Sequence, residues 1–262
     1  MEFNRQKFIA AIGAFSPETP HNLHIFETVA STNGTLWQLL EENAPPKTVV
    51  IATQQTAGRG QWGRHWQSAP GGLYLSLALS PNVPTQLATG LTLSSAWGIA
   101  TALRDKGIPV WLKWPNDLVL SGRKLGGILT ETRVHQGKIV KAVVGVGINW
   151  ANSVPETGID LRSLLEKNPV SPITSLEILA AVTFIGIISG YEYWQQQGIE
   201  NLLPAYENLL TNMGQKVTVD GRSGVVVGIC ANGDLRVQIC QKGVATPVEI
   251  SVEPGTISLG YR

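Results

Sequence analysis

The sequence predicts an α+β fold: a mixed, mostly antiparallel sheet with helices, followed by a small C-terminal β-barrel. Three observations carry this. A 43% hydrophobic share in 262 residues is enough for one large core plus an appendage. Strand-like runs joined by hairpin turns dominate from Val110 to Trp150. At Met213-Gly214 the chain changes to short strands with tight turns, so the expected domains are 1–213 and 214–262.

The elements follow in order. LHIFETV from Leu23 reads as a strand. STNGTLWQLLEEN reads as a helix with Ser31 or Thr32 as N-cap and Leu36, Leu39 and Leu40 on one face. TVVIATQQT is a β-branched buried strand, and GGLYLSLAL is expected to alternate as another. A helical stretch is expected from Pro84 to a stop at Lys106-Gly107. VWLKW, DLVL, KLGGILTETRV and KIVKAVVGVGINW then form an antiparallel meander, turning at Ser121-Gly122 and Gln136-Gly137. Helices are expected over 161–168, 175–196 and 199–212, with Pro204 as a kink or restart. Asp220-Gly221, Asn232-Gly233 and Lys242-Gly243 mark the hairpins of the last unit.

Twenty basic against nineteen acidic residues leave a net charge of +1, which excludes a global basic field for nucleic acid or anionic membrane. Phosphate handling must therefore be local. The uncharged run from His65 to Leu103 is interrupted by Pro, Gly and amides, and Ile178 to Gly190 is shorter than the roughly 20 residues of a membrane span. Both read as core. Cys230 and Cys240 admit a disulfide between neighbouring strands, but free thiols in a reducing compartment are expected. MEFNRQKFIAAIGAF lacks the form of a signal peptide, and a cytoplasmic protein is expected.

TAGRGQWGRHW, Thr56 to Trp66, contains G-x-G-x-x-G at Gly58, Gly60 and Gly63. A dinucleotide fingerprint needs a helix after the glycines and an acidic residue about 20 positions on. Here SAPGG and another strand follow, and no Asp or Glu occurs between Glu42 and Asp105. Two readings stay open: a solvated loop whose glycines supply turns, and a nucleotide loop. The second is suggested because Arg59 and Arg64 alternate with glycines that expose backbone N–H groups, and Trp62 and Trp66 offer flat faces to a ring.

KWPNDLVLSGRKLGG, Lys113 to Gly127, brings Lys113, Trp114, Asn116, Asp117 and Lys124 toward one end of a hairpin. This is either a solvated turn or a site; Pro and Asn-Asp are odd choices beside an apolar meander. Gly145 and Gly147 fall on one strand face, permitting close approach of a ligand, another backbone or a packed helix. Ser31-Thr32-Asn33 alone could be only a helix cap.

Taken together, TVASTN, QQTAGRGQWGRHW, GGLYLSLAL, KWPNDLVLSGRKLGGILTE and VVGVGIN, in this order and spacing, resemble the biotin protein ligases from about Leu23 to Arg262. The resemblance implies a class II synthetase-like sheet domain that binds biotin and ATP, and an SH3-like C-terminal barrel. It implies two half-reactions: biotin and ATP give biotinyl-5′-AMP and pyrophosphate, and a lysine of a biotin carboxyl carrier domain then takes the biotin. It places Ser31, Thr32, Asn33, Gln55, Arg59, Gly60, Gln61, Lys124 and Gly127 around biotin. It places Arg59, Arg64, Trp66, Lys113, Asn116 and Asn149 around ATP, with Lys124, Arg59 and Asp117 as the catalytic set. Asp117 would orient or deprotonate the incoming lysine, or stand near Mg²⁺; no metal ligands are assigned.

Many relatives carry a basic residue where this chain has Gln61, so retention of the adenylate is the step most open to change. Only about twenty residues precede the first strand, so a ligase without DNA-binding activity is expected. The edge around Val140 to Val146 would either pair with its twin in a homodimer or be covered. A lipoate ligase, an octanoyltransferase and a biotin-binding regulator without transfer chemistry are the alternatives.

Overall fold

The computed structural model describes residues 3–167, 171–239 and 247–261. The chain runs through α1 (Arg5–Phe15), β1 (Asn22–Val29), α2 (Thr32–Glu41), β2 (Thr48–Gln55) and β3 (Leu73–Leu79). It continues with β4 (Val83–Pro84), α3 (Ala88–Asp105), β5 (Trp111–Lys113), β6 (Asp117–Leu120), β7 (Arg123–His135) and β8 (Lys138–Ile148). Then come α4 (Leu161–Lys167), α5 (Leu176–Glu207), β9 (Lys216–Val219), β10 (Arg222–Ile229), β11 (Leu235–Ile239) and β12 (Val248–Val252).

An eight-stranded sheet has the order β1-β2-β3-β8-β7-β6-β5, with β4 on β8. Only β1 and β2 pair in parallel; the other ladders are antiparallel. The β6–β7 and β7–β8 turns are tight because Ser121 and Gln136 take φ of 50° and 49°, followed by glycines at 73° and 74°.

The seven residues of β3 are all buried, so the expected alternation is absent. The cause is tertiary. Leu73, Leu75, Leu77 and Leu79 join the core under α3 and α5, while Ala78 packs with Val50 and Val143 under α2 on the opposite face. A sheet covered on both faces has no reason to alternate in polarity. The long α3 begins at Ala88 rather than Pro84, because Val83 and Pro84 pair with Ile139 and Lys138 and a 3₁₀ turn intervenes at Thr85–Leu87.

Helix α5 is long and apolar, with 61% of its most hydrophobic window buried inside the protein. It crosses α3 at small residues: a Cβ on Gly98 would stand 2.0 Å from the Gly186 carbonyl oxygen, and one on Gly190 2.1 Å from that of Ser94. The helix breaks at Gly198 (φ 77°, ψ 174°), near the expected boundary, but Pro204 lies inside it and it ends at Glu207, short of residue 212. Helix α1, which the sequence reading left unassigned, is capped by Asn4 and buries Phe8, Ala11 and Ile12.

The C-terminal strands form an antiparallel sheet ordered β12-β11-β10-β9; among the described residues β12 and β9 do not pair, so the ladder is open there. The expected hairpins at Asp220-Gly221 and Asn232-Gly233 are present, with Asp220, Gly221 and Gly233 at positive φ. Those at Lys242-Gly243, together with Cys240 and the helix end at Asn168, lie outside the described residues. After β12 the chain turns back, and Gly255 to Tyr261 lies against the large sheet's site.

Candidate active site

A cavity of about 430 Å³ opens where β2, β6, β7, β8 and the Gly58–Trp66 loop meet. Fourteen of the fifteen predicted site residues line it: Ser31, Thr32, Asn33, Gln55, Arg59, Gly60, Gln61, Arg64, Trp66, Lys113, Asn116, Asp117, Lys124 and Gly127, with Asn149 set apart.

One end is built of amides and hydroxyls. Ser31 starts α2 in extended conformation without a side-chain cap bond, so the triplet does more than begin a helix. The Thr32 amide and hydroxyl both point to Gln55 Oε1, at 2.8 and 3.2 Å. Gln55 Nε2 donates to Ser68 Oγ at 2.8 Å. The Ser76 hydroxyl lies 2.6 Å from Asn33 Oδ1 and 2.8 Å from Thr32 Oγ1, and Asn33 Nδ2 donates to Glu131 at 2.8 Å. A chain of satisfied polar groups in a buried wall is rigid and presents its remaining valences in fixed directions. Gly145, paired with Ser76 in the sheet, is needed because a Cβ there would stand 2.2 Å from Asn33 Oδ1.

The other end is cationic. Lys124 Nζ lies 2.6 Å from Asp117 Oδ1 and 5.3 Å from the Trp66 ring centroid. Lys113 Nζ lies 3.9 Å from Asp117 Oδ2. Burial lowers the Lys113 pKa, with Lys124 and Arg64 adding to the effect and Asp117 opposing it. The backbone of Lys124 is held on both sides, its N–H donating to the Thr157 carbonyl at 2.8 Å and its carbonyl accepting from Ile159 at 2.9 Å. Asn149 stands behind it: rather than facing the cavity, its side chain donates to the Lys124 carbonyl at 3.3 Å. Asn116 braces the hairpin through Nδ2 to the Ile128 carbonyl at 2.7 Å. Trp114, joined to Pro115 by a cis peptide, donates from Nε1 to the Gly233 carbonyl at 2.8 Å and so ties this end to the C-terminal sheet.

The Gly58–Trp66 loop closes between the two ends. Arg59 pairs with His65 in a short bridge, and the Trp66 N–H donates to the Gly58 carbonyl at 3.0 Å. Gly58 has no room for a side chain, since a Cβ would meet Ser68 Oγ and the Trp66 carbonyl at 2.4 Å. Arg59 Nη2 lies 2.9 Å from Glu131, which links the loop to Asn33. The Arg64 guanidinium sits 5.4 Å from the Trp62 ring. Two buried atoms on this wall, Trp66 Nε1 and Gln61 Oε1, have no hydrogen-bond partner. Buried polar atoms are rarely left so, and both are available to a ligand.

The C-terminal wall is not among the residues expected at the site: Gly255, Ile257, Leu259 and Tyr261 line the same cavity, and the Tyr261 hydroxyl donates to Asp117 Oδ2. The GTISL run was the available signal, but nothing in its spacing says which surface it reaches. The glycine face of β8 meets side chains of the site itself: Gly145 meets Asn33 at the start of α2, and Gly147 meets Trp66.

This sheet, with a cationic pocket and a glycine-rich loop, is the architecture of class II synthetase-like folds. A model described as the biotin/lipoate A/B protein ligase family matches residues 25–149. The "Bifunctional ligase/repressor BirA" of Bacillus spizizenii is 39% identical over 238 residues, covering 87% of this chain and 73% of that protein. The "Biotin--[acetyl-CoA-carboxylase] ligase" of Mycobacterium tuberculosis is 35% identical, covering 56% of this chain and 57% of that one. The solved biotin protein ligase of Aquifex aeolicus in complex with biotin and ATP superposes with a TM-score of 0.69 at 26% identity, covering 92% of this chain and 100% of that one. The chain belongs to the biotin protein ligases. Its matched regions span 45% to 73% of the bacterial ligase/repressors of Bacillus, Escherichia and Salmonella.

Proposed function

We propose that the chain activates biotin with ATP and transfers it to a lysine of a biotin carboxyl carrier domain. The observation that carries this is that a single cavity joins the Thr32–Asn33–Gln55–Ser76 polar end to the Lys124–Asp117–Lys113 cationic end. The polar end suits the ureido group of biotin, whose N–H and C=O groups would be costly to bury unpaired. The cationic end suits a carboxylate attacking an α-phosphate.

In the first step the biotin carboxylate oxygen attacks the α-phosphorus and the bond to pyrophosphate breaks. Lys124, braced by Asp117 and by its backbone bonds to Thr157 and Ile159, stabilises the charge that develops there. Arg64 and Trp66 stand on the nucleotide side, and Trp66 Nε1 supplies an unused donor. Arg59, Gly60 and Gln61 cover biotin and the adenylate, Arg59 through its link to Glu131. In the second step the carrier amine attacks the acyl carbon, the bond to the phosphate oxygen breaks, and AMP leaves with the electron pair.

The residues present do not form a protein-built metal site. Among the described residues no group of three or more His, Cys, Asp or Glu could hold a metal. Asp117, the carboxylate on the cavity wall, is engaged by Lys124 and Tyr261. Magnesium enters this reading as part of the nucleotide substrate.

The name of the Mycobacterium tuberculosis relative supports a carboxylase carrier as acceptor. The burial of α5 supports a soluble protein in which this helix belongs to the core. The near-zero net charge supports a ligase that does not bind nucleic acid. The edge expected at Val140 to Val146 is covered: β8 pairs with β3 on one side and β7 on the other, so this stretch offers no strand pairing to a second copy.

The test is incubation of the full chain with biotin, labelled ATP and an apo carrier domain, with lipoate in a parallel arm. Biotin-dependent ATP–pyrophosphate exchange and biotin on the carrier lysine are expected. Absence of exchange, or preference for lipoate, overturns the proposal.

A further inference from the structure

Asp117 is approached by donors or cations from three directions. Lys124 Nζ lies 2.6 Å from Oδ1, Lys113 Nζ lies 3.9 Å from Oδ2, and the Tyr261 hydroxyl donates to Oδ2. The same tyrosine holds Lys113 a second time, since that ammonium stands 4.0 Å from the centroid of its ring. Asp117 itself is only 8% exposed.

Tyr261 does not reach this place as a loose end. The chain leaves β12, turns at Glu253–Thr256 with the Thr256 N–H and hydroxyl both on the Glu253 carbonyl, and buries Leu259 in the main core. Gly255, at φ 94°, packs close under Trp62 of the Gly58–Trp66 loop. The segment therefore spans the cavity wall from the loop to Asp117. Burial and the neighbouring carboxylate both raise the Tyr261 pKa, so the phenol stays protonated and remains a donor.

We propose that Tyr261 is a positioning residue for adenylation: through Asp117 it fixes Lys124, and through its ring it fixes Lys113, so the C-terminal segment completes the cationic end of the site. The proposal rests on the ligase reading above and extends it to a residue outside the large sheet. It also assigns Asp117 a role. A carboxylate whose oxygens already accept from Lys124 and Tyr261 serves as an anchor for cations, not as the proton acceptor for the incoming amine.

Tyr261→Phe removes the hydroxyl and keeps the ring; Tyr261→Leu removes both. In the full chain, the kcat of biotin-dependent ATP–pyrophosphate exchange is expected to fall about tenfold in the Phe variant, the scale of one hydrogen bond to a charged group, and further in the Leu variant. The KM for biotin should stay within about twofold of wild type, because Tyr261 makes no contact with Thr32, Asn33 or Gln55 among the described hydrogen bonds. Placed in an Asp117→Asn background, Tyr261→Phe should add little, because the group through which it acts is already changed.

Unchanged exchange in both single variants overturns the proposal, as does a full independent loss in the Asp117→Asn background. A wild-type chain without biotin-dependent exchange fails the ligase reading instead, so the two failures are distinguishable.

Discussion

Gly147 lies directly beneath the Trp66 indole: a Cβ at this position would stand 2.4 Å from Nε1 and 2.5 Å from Cε2. Gly147 is locked between Tyr74 of β3 and Gly127 of β7, so its backbone has little freedom to retreat. The indole must move instead. Gly147→Ala is therefore expected to raise the KM for ATP and to cost about 1–3 kcal/mol of stability, the usual range for overpacking. Steady-state kinetics and a thermal melt check both; a variant with wild-type ATP dependence would show that Trp66 does not contact the nucleotide.

Lys124→Ala should reduce ATP–pyrophosphate exchange by at least about 100-fold, the loss typical of one preorganised group facing developing charge. Lys113 cannot substitute, because Asp117 and the Tyr261 ring hold its ammonium elsewhere. Exchange near the wild-type rate would remove Lys124 from the reaction.

Gln61 Oε1 is buried without a partner, on a loop whose Arg59 is already engaged by Glu131. Gln61 therefore brings no positive charge of its own to hold the adenylate. Gln61→Arg is expected to slow release of biotinyl-adenylate about tenfold, equivalent to roughly 1.4 kcal/mol of added affinity. Release of labelled adenylate from the protein in the absence of carrier measures this directly.

Burial lowers the Lys113 pKa from its ordinary 10.5, with Asp117 opposing and Lys124 and Arg64 assisting. The cation is thus lost as pH rises through a value below the ordinary one, and the alkaline fall in exchange should begin there. Lys113→Arg keeps its charge at these pH values and should shift that limb upward. An identical limb in the two proteins would assign it to another group.

Much of this was legible in the chain. Hairpin turns at Ser121-Gly122 and Gln136-Gly137 announce themselves, because few dipeptides accept two positive φ values in succession. Thr32, Asn33, Gln55, Lys124 and Asp117 were legible because they fall in the motifs that resemble the biotin protein ligases; taken by themselves the residues left a helix cap and a solvated turn open. The alternation expected in β3 failed because polarity patterns report one covered face, and this sheet is covered on two. Asn149 was placed beside the nucleotide, yet which way a strand-end side chain turns depends on the carbonyl it finds, here that of Lys124.

What the amino-acid sequence determined by itself was local: the strands, the turns, helix α2 and the kinds of group assembled in the site. What only the tertiary structure decided was which groups meet across long separations. Tyr261 and Asp117 are 144 residues apart, and no periodicity connects them. Their contact exists because the C-terminal sheet is pinned to Trp114 through Gly233 and because burial of Leu259 draws the last turn of chain onto the cavity. Hydrophobic burial is non-directional, so it sets such meetings through the whole packed shape rather than through any short stretch of residues.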